Sequence, residues 1–295
     1  MNTRKIAVVT GSRADFGHLE PVIRAVANDP ALTLQTVVTG QHLDERFGAT
    51  AKAVTALGFG IDAAVDIGLA DDSGLATAQA TGGAVSGLAA AFDRLKPDVV
   101  VLLGDRFEIL AAGVAALMMN IPIAHIHGGE VTEGAMDDAI RHSLSKMANL
   151  HFVAAEPYAA RLRQMGEDPK AIVVSGAPGL DHLSTMAFLP RAELAADLGL
   201  KLAGRFFVIT FHPVTLAQDR GRNGVEALVG GLSAFADADM IFTGVNSDPG
   251  HDAIGQRLHR FVAGDPARRK LVQSLGQKRY LSALKIADEI GRAHV

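Results

Sequence analysis

Short apolar runs rich in β-branched residues alternate with longer helical patterns along the 295-residue chain, and few architectures accept that rhythm. The runs fall at residues 6–10, 34–39, 99–103, 121–126, 151–153 and 172–175, with helical patterns at 18–27, 75–95, 107–119, 135–147 and 157–165. Such alternation predicts βαβ units and a mostly parallel sheet. A cluster of turn residues, Gly176-Ala177-Pro178-Gly179, closes the first domain. After Pro190 the pattern restarts with a helix, a strand at 206–211, a helix from Val225, a strand at 240–243 and a helix after Asp252. The expectation is α/β with two domains, residues 1–180 and 181–288, and a cleft between them as the home of a substrate.

Two of the runs end abruptly in polar residues. Val99-Val100-Val101-Leu102-Leu103 stops at Gly104-Asp105-Arg106-Phe107-Glu108, and Ile121-Pro122-Ile123-Ala124 stops at His125-Ile126-His127-Gly128-Gly129-Glu130. Parallel strands deliver their ligands at such carboxyl ends. A charged pair directly after five apolar residues needs a partner, a wet cleft or a ligand, so Asp105 and Arg106 read either as a structural ion pair or as site residues. His125 and His127 alternate on a strand and point to opposite faces, and His125 is the one expected to be a satisfied core histidine. Gly128-Gly129 would let the backbone approach a ligand closely, with Glu130, Asp137 and Asp138 beyond. Several carboxylates around one site suit acid and base work on a sugar. The plainer reading of the next helix is a surface ladder of Asp137 with Arg141 and His142 with Lys146, both spaced i,i+4.

Composition narrows the chemistry. There is no cysteine, which excludes disulfides, thiolate nucleophiles and thiolate-bound zinc. His125, His127 and Glu130 do not make a metal motif, since strand geometry separates the imidazoles and no H-E-x-x-H pattern exists. A formal charge of −4 supplies no basic field, so nucleic acid is not an expected partner, whereas a local arginine and histidine cluster could still hold an anionic small molecule. No apolar segment approaches the length of a membrane span and the basic start is too short for a signal peptide, which makes a cytoplasmic protein the expectation. Gly11-Ser12-Arg13-Ala14-Asp15-Phe16-Gly17 opens a helix after the first strand, a place suited to a phosphate, yet it is neither G-x-G-x-x-G nor a P-loop. Phe211-His212-Pro213-Val214-Thr215 and Asn246 with Asp248 end strands of the second domain in the same way. The last seven residues, 289–295, coincide with the translation of a sequencing adaptor. They are expected to be a non-native tail on a second domain short of its last strands.

Together these residues resemble the hydrolysing UDP-N-acetylglucosamine 2-epimerases of sialic-acid and legionaminic-acid biosynthesis. The likeness extends to about Asp288 and rests on Thr10 to Asp15, Gly104-Asp105-Arg106, His125 to Glu130, Asp137 to Lys146, Val174 to Asp181, and His212 to Thr215. It implies two Rossmann-like domains in a GT-B arrangement, with UDP held mainly by the second and the sugar against the first. The implied reaction removes UDP and inverts sugar C2, giving free N-acetylmannosamine, with no metal or redox cofactor and a homodimer or homotetramer as the assembly. The C2 proton is not beside a carbonyl and becomes acidic only as the bond from C1 to UDP breaks. Carboxylates serve that step by stabilising the cation and taking the proton. Anti-elimination gives a glycal with its double bond between C1 and C2, and water then adds with the opposite C2 configuration.

At matched positions the resemblance implies that Asp105, Glu130 and Asp137 share the acid, base and cation-stabilising roles, and that His212 faces the departing diphosphate. It implies substrate contacts for Arg13, Asp15, His42, Arg106, His127, Gly128, Gly129, Arg141, His142, Lys146 and Asn246. Two departures stand out. His127 occupies a position where some N-acetylmannosamine-forming members carry a catalytic glutamate, which leaves the sugar open. A Gly-Asn-Ser-Ser loop that binds the diphosphate should follow Ala287-Asp288 and is absent. The alternatives are a non-hydrolysing 2-epimerase, a GT-B glycosyltransferase, or an inactive nucleotide-sugar-binding fragment.

Overall fold

The computed structural model describes residues 3–71, 73–212, 221–244 and 251–294. The chain divides into two compact units, Met1–Ser184 and Thr185–Val295. In chain order the first contains β1 (Arg4–Thr10), α1 (Arg13–Asn28), β2 (Leu32–Thr39), α2 (Ala51–Ala56), β3 (Ala63–Val65), α3 (Gly74–Leu95), β4 (Val99–Leu103) and α4 (Phe107–Met118). It continues with β5 (Ile123–Ile126), α5 (Met136–Met147), β6 (Leu150–Val153), α6 (Glu156–Gln164) and β7 (Ile172–Val174), and α7 (Asp181–Thr185) lies at the division.

The seven strands form one parallel sheet in the order β3-β2-β1-β4-β5-β6-β7. Successive side chains of a strand face opposite ways, and β1 shows what that does to a buried strand. Ala7 and Val9 pack with Val100 and Leu102 of β4 against Leu88 and Phe92 of α3 and Ala112 of α4. Ile6 and Val8 pack with Val101 and Leu103 against Phe16, Leu19 and Ile23 of α1 and Val54 of α2. Leu19, Ile23 and Leu88 are fully buried, and each such side chain contributes about 1.5–3 kcal/mol. The chain travels outward from β1 to β3 and then returns to lay β4 on the other edge of β1. The loops leaving β1 and β4 therefore diverge, opening the crevice in which doubly wound sheets bind ligands.

The second unit holds α8 (Arg191–Leu198), β8 (Phe206–His212), α9 (Arg222–Leu232), β9 (Asp239–Thr243), α10 (His251–Ala263), β10 (Arg269–Val272), α11 (Gln277–Ile286) and β11 (Glu289–His294). Its parallel sheet runs β10-β9-β8-β11. Phe207, Ile209 and Phe211 pack on one face with Ile254 and Leu258, while Phe206 and Val208 meet Leu194, Leu198 and Leu275 on the other. β11 follows β8 from Glu289 beside Phe207 to His294 beside His212. Main-chain groups alone make that ladder, so its pairing needs no particular side chains.

Three differences from the sequence expectation have physical causes. Helix α1 begins at Arg13 rather than at residue 18, because Ser12 and Asp15 form a capping box that starts it directly after the strand. β3 is an edge strand of Ala63, Ala64 and Val65, with little β preference of its own. β10 is an edge strand led by Arg269 and Lys270, which masks its apolar half. No helix among the described residues is long and apolar enough to cross a membrane.

Candidate active site

The turn from β1 into α1 is built by Asp15. Its carboxylate accepts the main-chain N–H of Gly11 and of Ser12, each at 2.8 Å, and the Ser12 hydroxyl as well. Asp15 is buried, which raises its pKa against the opposing pull of Arg106 and the turn's N–H groups. With both oxygens engaged, Asp15 shapes the turn. His42, fully buried just after β2, sits in the same way: Nε2 lies 3.0 Å from the Thr10 hydroxyl and Nδ1 2.9 Å from that of Thr50. Burial lowers its pKa to about 4, so the ring is neutral at physiological pH. Both residues brace the turn through hydrogen bonds within the chain.

Beneath this turn lies Glu108, which sequence reasoning did not place in the site. It stands in the first turn of α4 and is completely buried. Oε1 accepts Arg106 Nε at 2.7 Å, while Oε2 has no hydrogen-bond partner. Burial raises its pKa, Arg106 opposes that rise, and the Asp15 carboxylate adds to it. The glycines above it are fitted to its side chain. A Cβ on Gly11 would lie 2.5 Å from Glu108 Cγ and Oε1, and one on Gly40 would lie 2.8 Å from the Gly11 carbonyl oxygen. The available signal was a lone glutamate in the otherwise apolar Phe107–Met118 helix.

Arg106 and Asp105 do not pair with each other. Arg106 binds Glu108, whereas Asp105 accepts Nη2 of Arg141 from α5. The same Nη2 donates to the Thr132 hydroxyl at 2.8 Å. Nε and Nη1 of Arg141 are buried without a hydrogen-bond partner, and Nη1 stands 4.0 Å from Asp138. Burial lowers the Arg141 pKa only to about 10, so the buried guanidinium keeps its charge. It reaches across the strand ends to Asp105 rather than along its own helix. Asp138 also accepts the Thr132 N–H at 3.0 Å and lies 3.7 Å from His142 Nε2. His142 Nδ1 is buried and unpartnered. Asp137 is half-buried in the first turn of the same helix, and Arg13 half-buried in the first turn of α1.

His125 is a core histidine, as expected. It is fully buried, with Nε2 donating to the Gly104 carbonyl at 2.8 Å and Nδ1 lying 3.2 Å from the Ser145 hydroxyl. Burial lowers its pKa to about 4. Gly128 and Gly129 pack closely against the chain itself. A Cβ on Gly128 would meet Ser145 Oγ at 2.8 Å, and one on Gly129 would meet the Tyr158 carbonyl oxygen at 2.5 Å. Their smallness serves packing of the loop onto α5 and α6. After them the chain turns back, and Glu130 Oε1 lies 2.6 Å from His127 Nδ1.

Lys146 lies farther along α5. It bonds to Glu167 at 2.6 Å and to the Met165 carbonyl at 3.2 Å, in the last turn of α5. At about 1.5 Å per residue the helix carries it roughly 14 Å past Asp137, toward the opposite end of the sheet. Among the described residues no cluster of three His, Asp or Glu side chains could hold a metal ion. In the second unit His212 ends β8, next to the point where β11 reverses the strand order, while Asn246 and Pro213 to Thr215 lie outside the described residues.

A doubly wound sheet with buried carboxylates and arginines at its switch point, and an imidazole–carboxylate pair at the end of the neighbouring β5, defines an α/β protein with a polar, charged site. A family model described as UDP-N-acetylglucosamine 2-epimerase matches residues 24–290, and the chain belongs to that family. It is 38% identical to a GDP/UDP-N,N'-diacetylbacillosamine 2-epimerase (hydrolyzing) of Campylobacter jejuni, over 97% of this chain and 74% of that protein. A UDP-N,N'-diacetylbacillosamine 2-epimerase (hydrolyzing) of Legionella pneumophila is 33% identical over 97% of this chain and 74% of its own length. The crystal structure of the UDP-GlcNAc 2-epimerase of Neisseria meningitidis, bound to UDP-GlcNAc, has the same fold. Its TM-score is 0.79 at 17% identity, covering 98% of this chain and 78% of that one.

Proposed function

We propose that this chain acts as a hydrolysing nucleotide-sugar 2-epimerase on a UDP- or GDP-linked 2-acetamido sugar, with the 2,4-diacetamido trideoxy class as its substrate. The observation that carries this reading is Asp105, set at the switch point of the sheet and held there by the buried Arg141. A fixed anion at that place suits a reaction in which positive charge grows at sugar C1. The likeness to the two hydrolysing relatives supports both the reaction and the sugar class.

In this reading Asp105, Glu130 and Asp137 supply the acid, the base and the cation-stabilising group. Arg13 and Arg106 meet phosphate or sugar oxygens, with Glu108 fixing the direction of Arg106. His212 and Asn246 serve the departing diphosphate from the second unit. Arg141 and His142 shape the sugar side, and Asp15 and His42 hold the turn beneath it. The product is a free mannose-configured 2-acetamido sugar, the precursor class of sialic and legionaminic acids.

Nucleoside diphosphate release is to be followed with UDP-N-acetylglucosamine and with UDP- and GDP-N,N'-diacetylbacillosamine. The expected result is a kcat/KM at least about tenfold higher for one of the diacetamido sugars, since a pocket made for a second amide leaves polar groups unpaired without it. Preference for UDP-N-acetylglucosamine would reassign the sugar, and no release from any of the three would remove the hydrolytic reading.

A further inference from the structure

His127 is held in a backbone conformation that its side chain does not favour. Its φ is +66°, in the left-handed region, and its N–H is tied to the Phe152 carbonyl of β6 at 3.0 Å. A non-glycine residue there is strained, because its Cβ crowds the backbone. Gly129, at φ +78°, reverses the chain so that Glu130 folds back on the imidazole. The resulting contact, Nδ1 to Oε1 at 2.6 Å, joins side chains that are 17% and 28% exposed. The edge of the His18 ring lies against His127 with centroids 6.1 Å apart. Among the described residues His127 Nε2 has no hydrogen-bond partner.

A carboxylate only accepts, so the proton of the neutral ring resides on Nδ1 and the lone pair on Nε2. The ring belongs to the same strand-end group as Asp105, because Leu103 of β4 is registered against Ile126 of β5 and the two loops leave side by side. Building on the proposed function, we propose that His127 and Glu130 form an imidazole–carboxylate dyad in which His127 Nε2, rather than the Glu130 carboxylate, takes the proton from sugar C2.

The step balances. The Nε2 lone pair binds the C2 proton, the C2–H electron pair becomes the C1–C2 π bond, and the C1–O pair leaves with the nucleoside diphosphate. The Glu130 carboxylate offsets the imidazolium charge. Water then adds hydroxyl at C1, while an acid on the other face gives a proton to C2 and recovers one from that water. The imidazolium releases its proton to solvent, matching the extra negative charge on the free nucleoside diphosphate. Asp137 fills the part of that acid, because Asp105 is held by Arg141 as the anion that serves C1.

His127→Gly is the decisive variant, because glycine accepts φ +66° and leaves a cavity the size of an imidazole. Turnover is expected to fall by about 10²–10⁴-fold with KM little changed, and added imidazole is expected to restore it by about tenfold or more. ¹⁵N NMR of the unaltered protein should show His127 protonated at Nδ1, and Glu130→Gln, whose amide can donate to Nδ1, should move that proton to Nε2. Unchanged turnover in His127→Gly, a loss that imidazole does not restore, or an Nε2–H tautomer in the unaltered protein each overturns the dyad. If the unaltered protein releases no nucleoside diphosphate, the parent reading fails instead, and the tautomer spectrum still decides whether the pair is poised as described.

Discussion

Asp105→Asn is expected to reduce turnover by about 10²–10³-fold while nucleotide-sugar affinity changes only a few-fold. The amide keeps the shape of the carboxylate and removes its charge. A neutral ground-state sugar has little use for that charge, whereas the C1 centre draws on it as the bond to the diphosphate breaks, so the loss falls on the transition state. The substitution also takes from buried Arg141 its hydrogen-bonded carboxylate and leaves, among the described residues, only Asp138, 4.0 Å from Nη1, a loss that approaches the roughly 3–5 kcal/mol of a broken buried pair. A thermal midpoint measured beside the kinetics separates the two effects. Arg141→Met in the same background removes the stranded charge and should recover stability without recovering turnover. A large loss of binding with unchanged turnover would refute the role given to Asp105.

Gly11→Ala is expected to destabilise the first unit by about 3 kcal/mol and to lower its thermal midpoint by about 6–12 °C. The added Cβ would fall 2.5 Å from Cγ and Oε1 of Glu108. That side chain has little room to yield, since it is wholly buried, bonded to Arg106, and limited by Gly40 in the turn after β2. Shortening it relieves the contact, so Gly11→Ala combined with Glu108→Asp should be less destabilised than the two single changes add up to. A midpoint unchanged in Gly11→Ala would mean that Glu108 is not packed beneath the turn.

Much of the fold could be read from the sequence because the strands announce themselves. Val99 to Leu103 cannot be mistaken for solvent-facing structure, and its end at Gly104-Asp105-Arg106 located half of the switch point. The short edge strands β3 and β10 were silent, since Ala63-Ala64-Val65 and Arg269-Lys270-Leu271-Val272 lack the unbroken β-branched run that marks the edge strand Ile172–Val174. The site was legible as residue types and not as pairings. Arg141 was spaced to meet Asp137 on its own helix, yet it binds Asp105 from 36 positions earlier in the chain, a proximity created by the sheet order. Glu108 read as an ordinary first-turn helix residue favoured by the helix dipole, and only burial revealed it as the base of the β1 turn. Gly128 and Gly129 were read as clearance for a ligand, but their neighbours are Ser145 and Tyr158 of the chain itself. Lys146 shares α5 with Asp137, and helical rise sets it roughly 14 Å farther along, beside Glu167.

The measurement that tests the hydrolytic epimerase most directly is product analysis in D₂O with the preferred nucleotide sugar. The account predicts a free, C2-inverted 2-acetamido sugar carrying one solvent deuterium at C2, together with one equivalent of nucleoside diphosphate. A nucleotide-linked C2 epimer, or a released sugar that keeps its original C2 configuration and proton, would contradict it.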